Sequence, residues 1–211
     1  MVTRTWVIAE RSPNGKERAG IAEIIRHGEV VILPTDTIYG FHAEATNADA
    51  VAKIFRIKGR DEHKPLVVLA SDPDEVVALG AIITEPAANT LRSIWPAPLT
   101  AILALNRPLA ASADAVTIAV RIPDCGWLLD LLRVSGPLAS TSMNRSGEPP
   151  IYTIAALPAK TKNQVGAVLD IGPLEAKAST IVDFTVEPPE IVRQGDFRFS
   201  QNLWKTPRKS L

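Results

Sequence analysis

A series of short apolar segments, separated by turn-forming residues, restricts most strongly which folds this chain can adopt. Each segment has the length and the β-branched or apolar content of a buried strand, and Pro, Gly or Asn bounds it. The segments are EVVIL (29–33), PLVVLA (65–70), LTAILAL (99–105), VTIAVRIP (116–123), PLAST (137–141), GAVLDIG (166–172), STIVDF (179–184) and PEIVRQG (189–195). This pattern predicts a β-sheet with many short strands.

Amphipathic helical patterns lie between several of these strands. GKERAGIAEIIRHG (15–28) repeats isoleucine at helical spacing and stops at a glycine, and Asn47 is placed to cap a second helix that runs to Ile57. Three more helices are expected within residues 71–80, 84–95 and 124–136. Since some strands follow helices while others follow one another directly, we predict an α/β fold with a mixed sheet of parallel and antiparallel strands.

Length and composition are those of an ordinary globular protein. The chain has 211 residues, of which 46% are hydrophobic and 22% are charged. We therefore expect a single domain over residues 1–211, with its core at about 12–200 and a short basic C-terminal tail. Lys plus Arg equals Asp plus Glu at 23 each, so no overall field would attract nucleic acid or an anionic membrane. Any anion site must therefore be a local cluster.

Cysteine usage and hydropathy predict a cytoplasmic protein without a membrane span. The single cysteine, Cys125, excludes an intramolecular disulfide framework and fits a reducing compartment. The N-terminal residues hold no apolar targeting core, and the longest apolar runs are far shorter than the roughly 20 residues that cross a bilayer. We expect Cys125 to be a small residue at a helix end, and the alternative is a thiol whose pKa the helix start lowers.

Several catalytic motifs are absent from the sequence. Gly15 and Gly20 have P-loop spacing, but Ile21 and Ala22 follow where side chains that bind phosphate and magnesium would be required. The chain has no glycine fingerprint for a dinucleotide, no nucleophile elbow and no His/Cys cluster at metal-ligand spacing, so no tightly bound metal is expected. We expect the histidines at the surface or at helix ends, although folding could bring His63 to a site. They are His27, His42 and His63.

Hydroxyl and amide side chains follow two of the predicted strands. LPTDTIYG (33–40) would expose Thr35, Asp36 and Thr37 before a glycine turn, and LASTSMNRSGEPP (138–150) leaves a strand for a run of Ser, Thr and Asn. Ligands usually bind at strand ends in α/β sheets, and such runs can hold phosphate oxygens. Each segment could equally be a turn without a function, so neither decides between the two interpretations alone.

Cations accompany these segments. Arg121 lies inside an apolar strand and must find an anionic partner there, either a ligand or a structural ion pair. The other candidates are Lys58, Arg60, Lys64 and Arg193. Arg can bind a carboxylate or phosphate through two parallel hydrogen bonds, while Lys supplies a movable point charge. The set predicts a site that grips anions, such as a nucleoside triphosphate together with a small carboxylate.

In this order, the motifs resemble those of the threonylcarbamoyl-AMP synthase (YrdC-like) family. The resemblance runs from about Ile21 to Arg193. It is carried by LPTDTIYG (33–40), KGR (58–60), KPL (64–66), WPAPLT (95–100), VRIP (120–123), STSMN (140–144) with the SG that follows, STIVDF (179–184) and IVRQG (191–195). It implies one YrdC-like domain, built on a twisted mixed sheet with flanking helices and a deep basic cavity. It also implies that the additional C-terminal domain of longer members is missing here.

The resemblance implies a nucleotidyltransferase that condenses L-threonine, bicarbonate and ATP into threonylcarbamoyl-AMP and pyrophosphate. Downstream tRNA-modifying proteins would transfer the threonylcarbamoyl group to an adenosine, and Mg²⁺ would arrive with ATP. By the same resemblance, Thr35, Arg121 and Ser179 would bind threonine or its carbamate. Lys58 and Arg60 would be catalytic and would also bind ATP. The other ATP-binding residues would be Thr117, Ser140, Ser142, Asn144 and Arg193.

The chain departs from the family pattern at three positions. Asp61 replaces the proline after K-x-R, Ala97 replaces the glycine of W-P-G-P-L-T, and Met143 replaces the small residue inside S-A-N. Asp61 would add negative charge beside the phosphate-binding cations, or would point away from them. Asp36 could contact the Mg²⁺ of ATP but is more typical of an Asx-type turn. Two alternatives stay open: a non-catalytic YrdC-like protein that binds a nucleotide or RNA, including double-stranded RNA, and a paralogue that transfers a carbamoyl group to another acceptor.

Overall fold

The computed structural model describes residues 3–8, 12–174 and 176–204. Its strands are β1 (Arg4–Val7), β2 (Val31–Leu33), β3 (Gly40–Glu44), β4 (Val67–Leu69), β5 (Ala81–Ile82), β6 (Leu99–Leu105), β7 (Thr117–Arg121), β8 (Leu138–Ser142), β9 (Ala167–Asp170), β10 (Thr180–Asp183) and β11 (Glu190–Arg193). Its α-helices are α1 (Gly15–Arg26), α2 (Ala48–Lys58), α3 (Pro73–Ala78), α4 (Glu85–Ile94), α5 (Gly126–Ser135) and α6 (Ala159–Lys162). Short 3₁₀ turns lie at Ala110–Ser112, Ile154–Ala156 and Gln201–Leu203.

Capping residues fix where the first helices begin and end. Asn14 accepts hydrogen bonds from backbone N–H groups in the first turn of α1, and the Glu17 carboxylate accepts one from the Asn14 N–H at 2.7 Å. Asn47 caps α2 as predicted, since its side chain accepts a hydrogen bond from the Ala50 N–H at 3.1 Å. Gly59 then takes the left-handed backbone conformation, with φ of 61°, which ends α2. The basic segment that begins at the end of α2 is therefore turned back toward β4.

The strands of the described residues form one mixed sheet, as predicted. Their order is β1-β9-β2-β3-β8-β4-β7-β6-β10-β11, and β5 pairs with β6. The parallel pairs are β1 with β9, β2 with β9, β4 with β7, and β6 with β10. The other pairs are antiparallel. Because strands that are distant in the sequence become neighbours, the ends of several remote segments meet in the middle of the sheet.

Helices cover both faces of the sheet. Helices α1 and α5 pack on one face, where Ile21 and Leu128 are fully buried with Val31 and Leu33 of β2. Ile32, which lies between the last two, belongs to the opposite cluster together with apolar residues of α2 and α4. Side chains of a strand alternate between its faces, and each fully buried aliphatic side chain contributes roughly 1.5–3 kcal/mol. The short strands thus hold the two layers together.

Strand β3 was not predicted, and the expectation that His42 lies at the surface or a helix end is wrong. The sequence GFHAE has no strand-like pattern, yet β3 pairs with β2 on one side and with β8 on the other. His42 is consequently fully buried, and Gly40 begins this strand instead of forming the predicted turn. His27 ends α1 and is exposed, and His63 is also exposed, as predicted. Strands β1 and β5 and helix α6 were likewise not predicted.

No helix within the described ranges combines the length and the hydropathy that crossing a bilayer requires. Residues 205–211, which include most of the predicted basic tail, lie outside the described residues.

Candidate active site

A cavity of about 400 Å³ opens among β3, β4, β6, β7, β8, β10 and β11. Three arginines line it, Arg60, Arg121 and Arg193, and among the described lining residues there is no Asp or Glu. Most of the predicted site residues line this cavity: Thr35, Arg60, Arg121, Ser140, Ser142, Ser179 and Arg193. A concave site with charges of one sign focuses its field on ligands of the opposite sign, so the cavity favours anions.

The remaining predicted site residues are not part of the lining. Lys58 and Asn144 lie behind Ser142, which both of them contact. Thr117 begins β7 on the same face as Arg121, but at about 3.3 Å per residue it lies about 13 Å from Arg121 along the strand. The role of Thr117 in ATP binding stays a prediction.

The Lys58 ammonium group holds the turn that follows β8. It donates to Ser142 O (2.8 Å), Asn144 O (2.9 Å) and Asn144 Oδ1 (2.8 Å), and it lies 3.2 Å from Ser142 Oγ. An ammonium group has three protons, so these acceptors use all of them. Burial and, secondarily, the charge of Arg60 lower the pKa of Lys58 to about 8. Lys58 is therefore placed to shape the Ser142–Asn144 turn, and its protons are already engaged.

Arg121 forms a buried ion pair with Asp36. Arg121 Nη1 lies 3.3 Å from Asp36 Oδ1, the two side chains are 6% and 7% exposed, and Nη1 donates to Thr37 Oγ1 at 2.9 Å. Asp36 Oδ2 accepts a hydrogen bond from the Asp124 N–H at 3.2 Å. The anionic partner that Arg121 requires is thus Asp36, which reaches across the chain. The expectation that Asp36 caps its own turn is wrong.

The other edge of the Arg121 guanidinium has no partner. Within the described part of the chain, neither Nε nor Nη2 makes a hydrogen bond, and Nε is buried. Burial lowers the pKa of Arg121, whereas the charge of Asp36 acts in the opposite direction. A buried N–H without an acceptor costs about 1–3 kcal/mol. The Nε–Nη2 edge is the one that binds a carboxylate through two parallel hydrogen bonds, so it offers a site for such a group.

The hydroxyl group of Thr35 is occupied by neighbouring residues. It donates to Ile38 O (3.0 Å) and accepts from the Thr37 N–H (3.1 Å), and its oxygen lies 2.9 Å from Thr37 Oγ1. A hydroxyl has one proton and two lone pairs, so these partners use its capacity. Thr35 and Thr37 are buried, so the expectation that both are exposed is wrong. Thr37, which was not assigned a role, links Thr35 to Arg121.

A second cluster forms around Ser179 at the start of β10. Arg193 donates from Nη2 to Ser179 O at 2.8 Å and from Nε to the same oxygen at 3.3 Å. Thr100 Oγ1 lies 2.8 Å from Ser179 Oγ, and both hydroxyl groups are buried. Gly195 packs against this segment so closely that a Cβ atom would lie well under 3.0 Å from the backbone of Ala178 and Ser179. Thr100 was not assigned a role, although a hydroxyl in the apolar run LTAILAL was a usable signal.

Arg60 is anchored to the turn that precedes β4. Its Nε and Nη2 donate to the carbonyl oxygens of Lys64 (3.4 Å) and Pro65 (3.1 Å), while its side chain lines the cavity. Asp61 is exposed and accepts a hydrogen bond from the His63 N–H at 3.0 Å, and it does not line the cavity. The Asp61 carboxylate therefore bonds to the turn outside the cavity. Burial lowers the pKa of the Arg60 guanidinium, whereas the charge of Asp61 still acts on that group and raises its pKa.

The other two departures from the family pattern lie in the core. Met143 is fully buried in the larger hydrophobic cluster, and its N–H donates to Tyr39 O at 3.0 Å. Ala97 is 5% exposed and its N–H donates to Ile122 O at 3.0 Å. Neither lines the cavity, so neither side chain obstructs it.

Two further groups close to Arg121 are neutral at about pH 7. His42 Nε2 lies 3.2 Å from Leu33 O, and burial lowers the pKa of His42 to about 4. Cys125 lies at the N-terminal end of α5, as predicted, and burial raises the pKa of its thiol to about 11. The alternative of an acidic, reactive Cys125 is therefore wrong.

Comparisons with known proteins agree with this architecture. The Sua5/yciO/yrdC family model, described as telomere recombination, matches residues 23–195. A threonylcarbamoyl-AMP synthase of Bacillus subtilis is 35% identical over 205 residues, which cover 92% of this chain and 59% of that protein. A protein of Mycobacterium tuberculosis is 32% identical over 197 residues, which cover 92% of this chain and 91% of its own length.

One of the similar solved structures contains a bound amino acid. The structure of Pyrococcus abyssi Sua5 complexed with L-threonine is similar to this chain with a TM-score of 0.81 and 28% identity, over 92% of this chain and 58% of that one. The chain thus spans a little over half the length of this structure and of the Bacillus relative.

Proposed function

Because the chain belongs to the Sua5/YciO/YrdC family, we propose that it is an L-threonylcarbamoyladenylate synthase. It would condense L-threonine, bicarbonate and ATP into threonylcarbamoyl-AMP and release pyrophosphate. The observation that carries this proposal is the Nε–Nη2 edge of Arg121, which has no hydrogen-bond acceptor among the described residues, in a cavity that two further arginines line. That combination suits a small carboxylate next to a polyphosphate.

The threonine end of the site would lie at Arg121. Thr37 accepts a hydrogen bond from Nη1, and Asp36 attracts the same nitrogen by its charge. Together they fix the plane of the guanidinium, so the unpartnered edge is oriented before threonine arrives. Pre-organised donors lose less entropy on binding. Ser179 would contribute a hydroxyl group to the same ligand, whereas the Thr35 hydroxyl has no remaining capacity. Thr35 would then act by positioning Thr37 and by contacts of its own backbone.

The nucleotide would lie across Arg60, Arg193 and the hydroxyl groups of β8. Ser140 and Ser142 line the cavity, and within the described residues the Ser140 hydroxyl makes no intramolecular hydrogen bond. Lys58 and Asn144 would serve ATP indirectly, because they hold the turn that carries Ser142. This reverses the order of importance that the sequence suggests, in which Lys58 grips the triphosphate directly.

The chemistry requires no enzyme nucleophile. The neutral amine of threonine attacks the carbon of CO₂ or a bicarbonate-derived equivalent and loses a proton to form the carbamate. A carbamate oxygen then attacks the α-phosphorus of ATP, and the bond to the bridging oxygen breaks to release pyrophosphate. Negative charge builds up in both steps, so fixed cations and hydroxyl donors lower the barrier.

The described residues around the cavity offer no ligand set for Mg²⁺, so the ion would be held by the phosphate oxygens of ATP. Among the described residues, no group of three or more His, Cys, Asp and Glu side chains could hold a metal ion, and Asp36 is engaged by Arg121. When bound, Mg²⁺ would supply charge neutralisation on the triphosphate.

The proposal extends to the use of the product. The activated threonylcarbamoyl group would pass to tRNA-modifying proteins that transfer it to an adenosine, in the cytoplasm. Double-stranded RNA binding stays a prediction. The non-catalytic alternative is less well supported, because an RNA-binding surface does not need a small pocket for a carboxylate at Arg121.

One experiment tests the function directly. Purified protein with ATP, bicarbonate and L-threonine should release pyrophosphate only when threonine is present, and mass spectrometry should detect threonylcarbamoyl-AMP. A folded protein, as judged by circular dichroism, that releases no threonine-dependent pyrophosphate would contradict the proposal. Release with a different carboxylate or amine would instead favour the paralogue that acts on another acceptor.

A further inference from the structure

Thr100 is a buried hydroxyl residue beside the cavity, and no sequence motif assigns it a role. It lies near the start of β6 and is fully buried, with a relative exposure of 0%. In the described ranges, its hydroxyl group has a single hydrogen-bond partner, Ser179 Oγ, at 2.8 Å. Thr100 does not itself line the cavity, whereas Ser179 does.

The direction of this hydrogen bond follows from burial. A buried hydroxyl proton must find an acceptor, and Ser179 Oγ is the acceptor that the Thr100 hydroxyl has. If the bond ran the other way, the Thr100 proton would be buried without a partner. Arg193 Nη2 lies 3.5 Å from the same Ser179 oxygen, and a guanidinium N–H can only donate. Ser179 Oγ therefore accepts from Thr100 and faces a second donor.

The Ser179 proton is consequently left for the cavity. A serine oxygen has two lone pairs and one proton, and both neighbours of Ser179 Oγ supply protons. The remaining O–H can be directed at an acceptor in the cavity, which Ser179 lines. Such a group suits a carboxylate or carbamate oxygen, which accepts hydrogen bonds and cannot donate them.

The backbone holds the two hydroxyl groups in register. Strands β6 and β10 run parallel with Leu99 beside Thr180, and the Thr180 N–H donates to Pro98 O at 3.0 Å. On the other side, the Arg193 guanidinium donates to Ser179 O, and Gly195 packs on the same carbonyl. Ser179 cannot shift away from Thr100 without breaking these contacts.

We propose that Thr100 is a positioning residue that orders Ser179 as a hydrogen-bond donor to a carboxylate or carbamate oxygen of the threonine substrate. This inference rests on the proposed synthase function. Arg121 and Ser179 would then both act as hydrogen-bond donors to the ligand. An acceptor-only anion would be preferred over a neutral amide of the same shape.

The test compares variants at Thr100 and Ser179. Thr100→Val keeps the shape and removes the proton, and the KM for threonine should rise roughly tenfold, with a smaller change in kcat and in the KM for ATP. Thr100→Ser should restore values close to those of the wild type. Thr90→Val is the matched control, because Thr90 is also fully buried but bonds Leu203 O away from the cavity, and it should leave both KM values unchanged.

A double mutant separates positioning from packing. In a Ser179→Ala background, Thr100→Val should cause no further rise in the KM for threonine, because the group that it orders is gone. Equal effects of Thr100→Val in both backgrounds, or a wild-type KM in Thr100→Val, would overturn the inference. If Thr100→Val does not fold, Thr100→Ala removes the same proton with less crowding and is judged by the same two criteria.

Calorimetric titration with L-threonine distinguishes a failure of the inference about Thr100 from a failure of the proposed synthase function. A wild type that binds threonine but releases no pyrophosphate would contradict the synthase function, and the loss of affinity in Thr100→Val would still decide the role of Thr100. A wild type that does not bind threonine would overturn both.

Discussion

Asp36 Oδ1 and Arg121 Nη1 lie 3.3 Å apart in the interior of the protein, and the opposite edge of the same guanidinium has no partner among the described residues. The carboxylate orients the arginine without saturating it. A ligand carboxylate can therefore bind Arg121 while the Asp36 pair stays intact, which is how one cation can serve both the fold and the site.

Arg121→Met should cost stability and threonine binding together. Removing one partner of a buried ion pair leaves the other charge uncompensated, so the free energy of unfolding should fall by about 3–5 kcal/mol. Arg133→Met is the control, because Arg133 and Asp130 also form an ion pair, at 2.8 Å, but their side chains are 56% and 51% exposed. It should cost under about 1 kcal/mol. Urea denaturation measures both, and equal losses would contradict the assigned burial of the pair.

Lys58→Met should disturb the Ser142–Asn144 turn. The carbonyl and amide oxygens that Lys58 binds would lose their donor, which should lower the free energy of unfolding by about 1–3 kcal/mol. Displacement of Ser142 should lower pyrophosphate release about 100-fold. Lys53→Met is a matched control, because Lys53 also donates to a carbonyl oxygen, Gly28 O at 2.7 Å, but outside the cavity. It should retain activity, and a comparable loss of activity in this control would rule out a specific role for Lys58.

His42 should make the protein sensitive to acid. Its pKa is lowered from 6.5 to about 4, so the unfolded state binds more protons between these values and stability falls as the pH decreases from about 6.5 to 4. Over this whole pH range, the free energy of unfolding should fall by about 3 kcal/mol. His42→Gln should flatten this part of the stability profile. Denaturation curves at pH 4, 5, 6 and 7 would measure the slopes, and the same slope in wild type and His42→Gln would refute the assignment.

Gly195→Ala should impair threonine binding, although it adds only one methyl group. The added Cβ would collide with the backbone of Ala178 and Ser179, which are not free to move aside like the end of a long side chain. The displaced Ser179 should raise the KM for threonine about tenfold or more. Gly126→Ala is the control, because a Cβ there would meet nothing within 4 Å. Steady-state kinetics with a normal KM for Gly195→Ala would show that this close approach is not functionally important.

The sequence predicted those parts of the molecule that depend on local patterns. Asn47 capped α2 where expected, and the apolar runs became strands because burial in a sheet follows short-range hydrophobicity. Strand β3 was not predicted, because its central residue is a histidine. Pairing with the neighbouring strands β2 and β8 buries that histidine. Tertiary pairing overrode the local signal there.

The candidate site was predictable by residue type but not by role. Thr100 and Thr37 were missed because their partners Ser179 and Arg121 lie 79 and 84 residues away in the sequence. Lys58 was expected to hold phosphate. Instead, its ammonium protons bond to oxygen atoms of Asn144 in the turn that follows β8. Sequence spacing gives no information on which donors the fold has already used.

The cavity also makes ligand binding depend on a long stretch of the chain, from Thr35 to Arg193. Its wall joins Thr35, which follows the second strand, to Arg193 at the end of the last one, and the strands between them are not in sequence order. No contiguous fragment that stops short of β11 contains the complete wall. Occupancy by substrate should therefore protect distant segments from proteolysis at the same time, since a ligand that binds only the native state shifts the entire unfolding equilibrium.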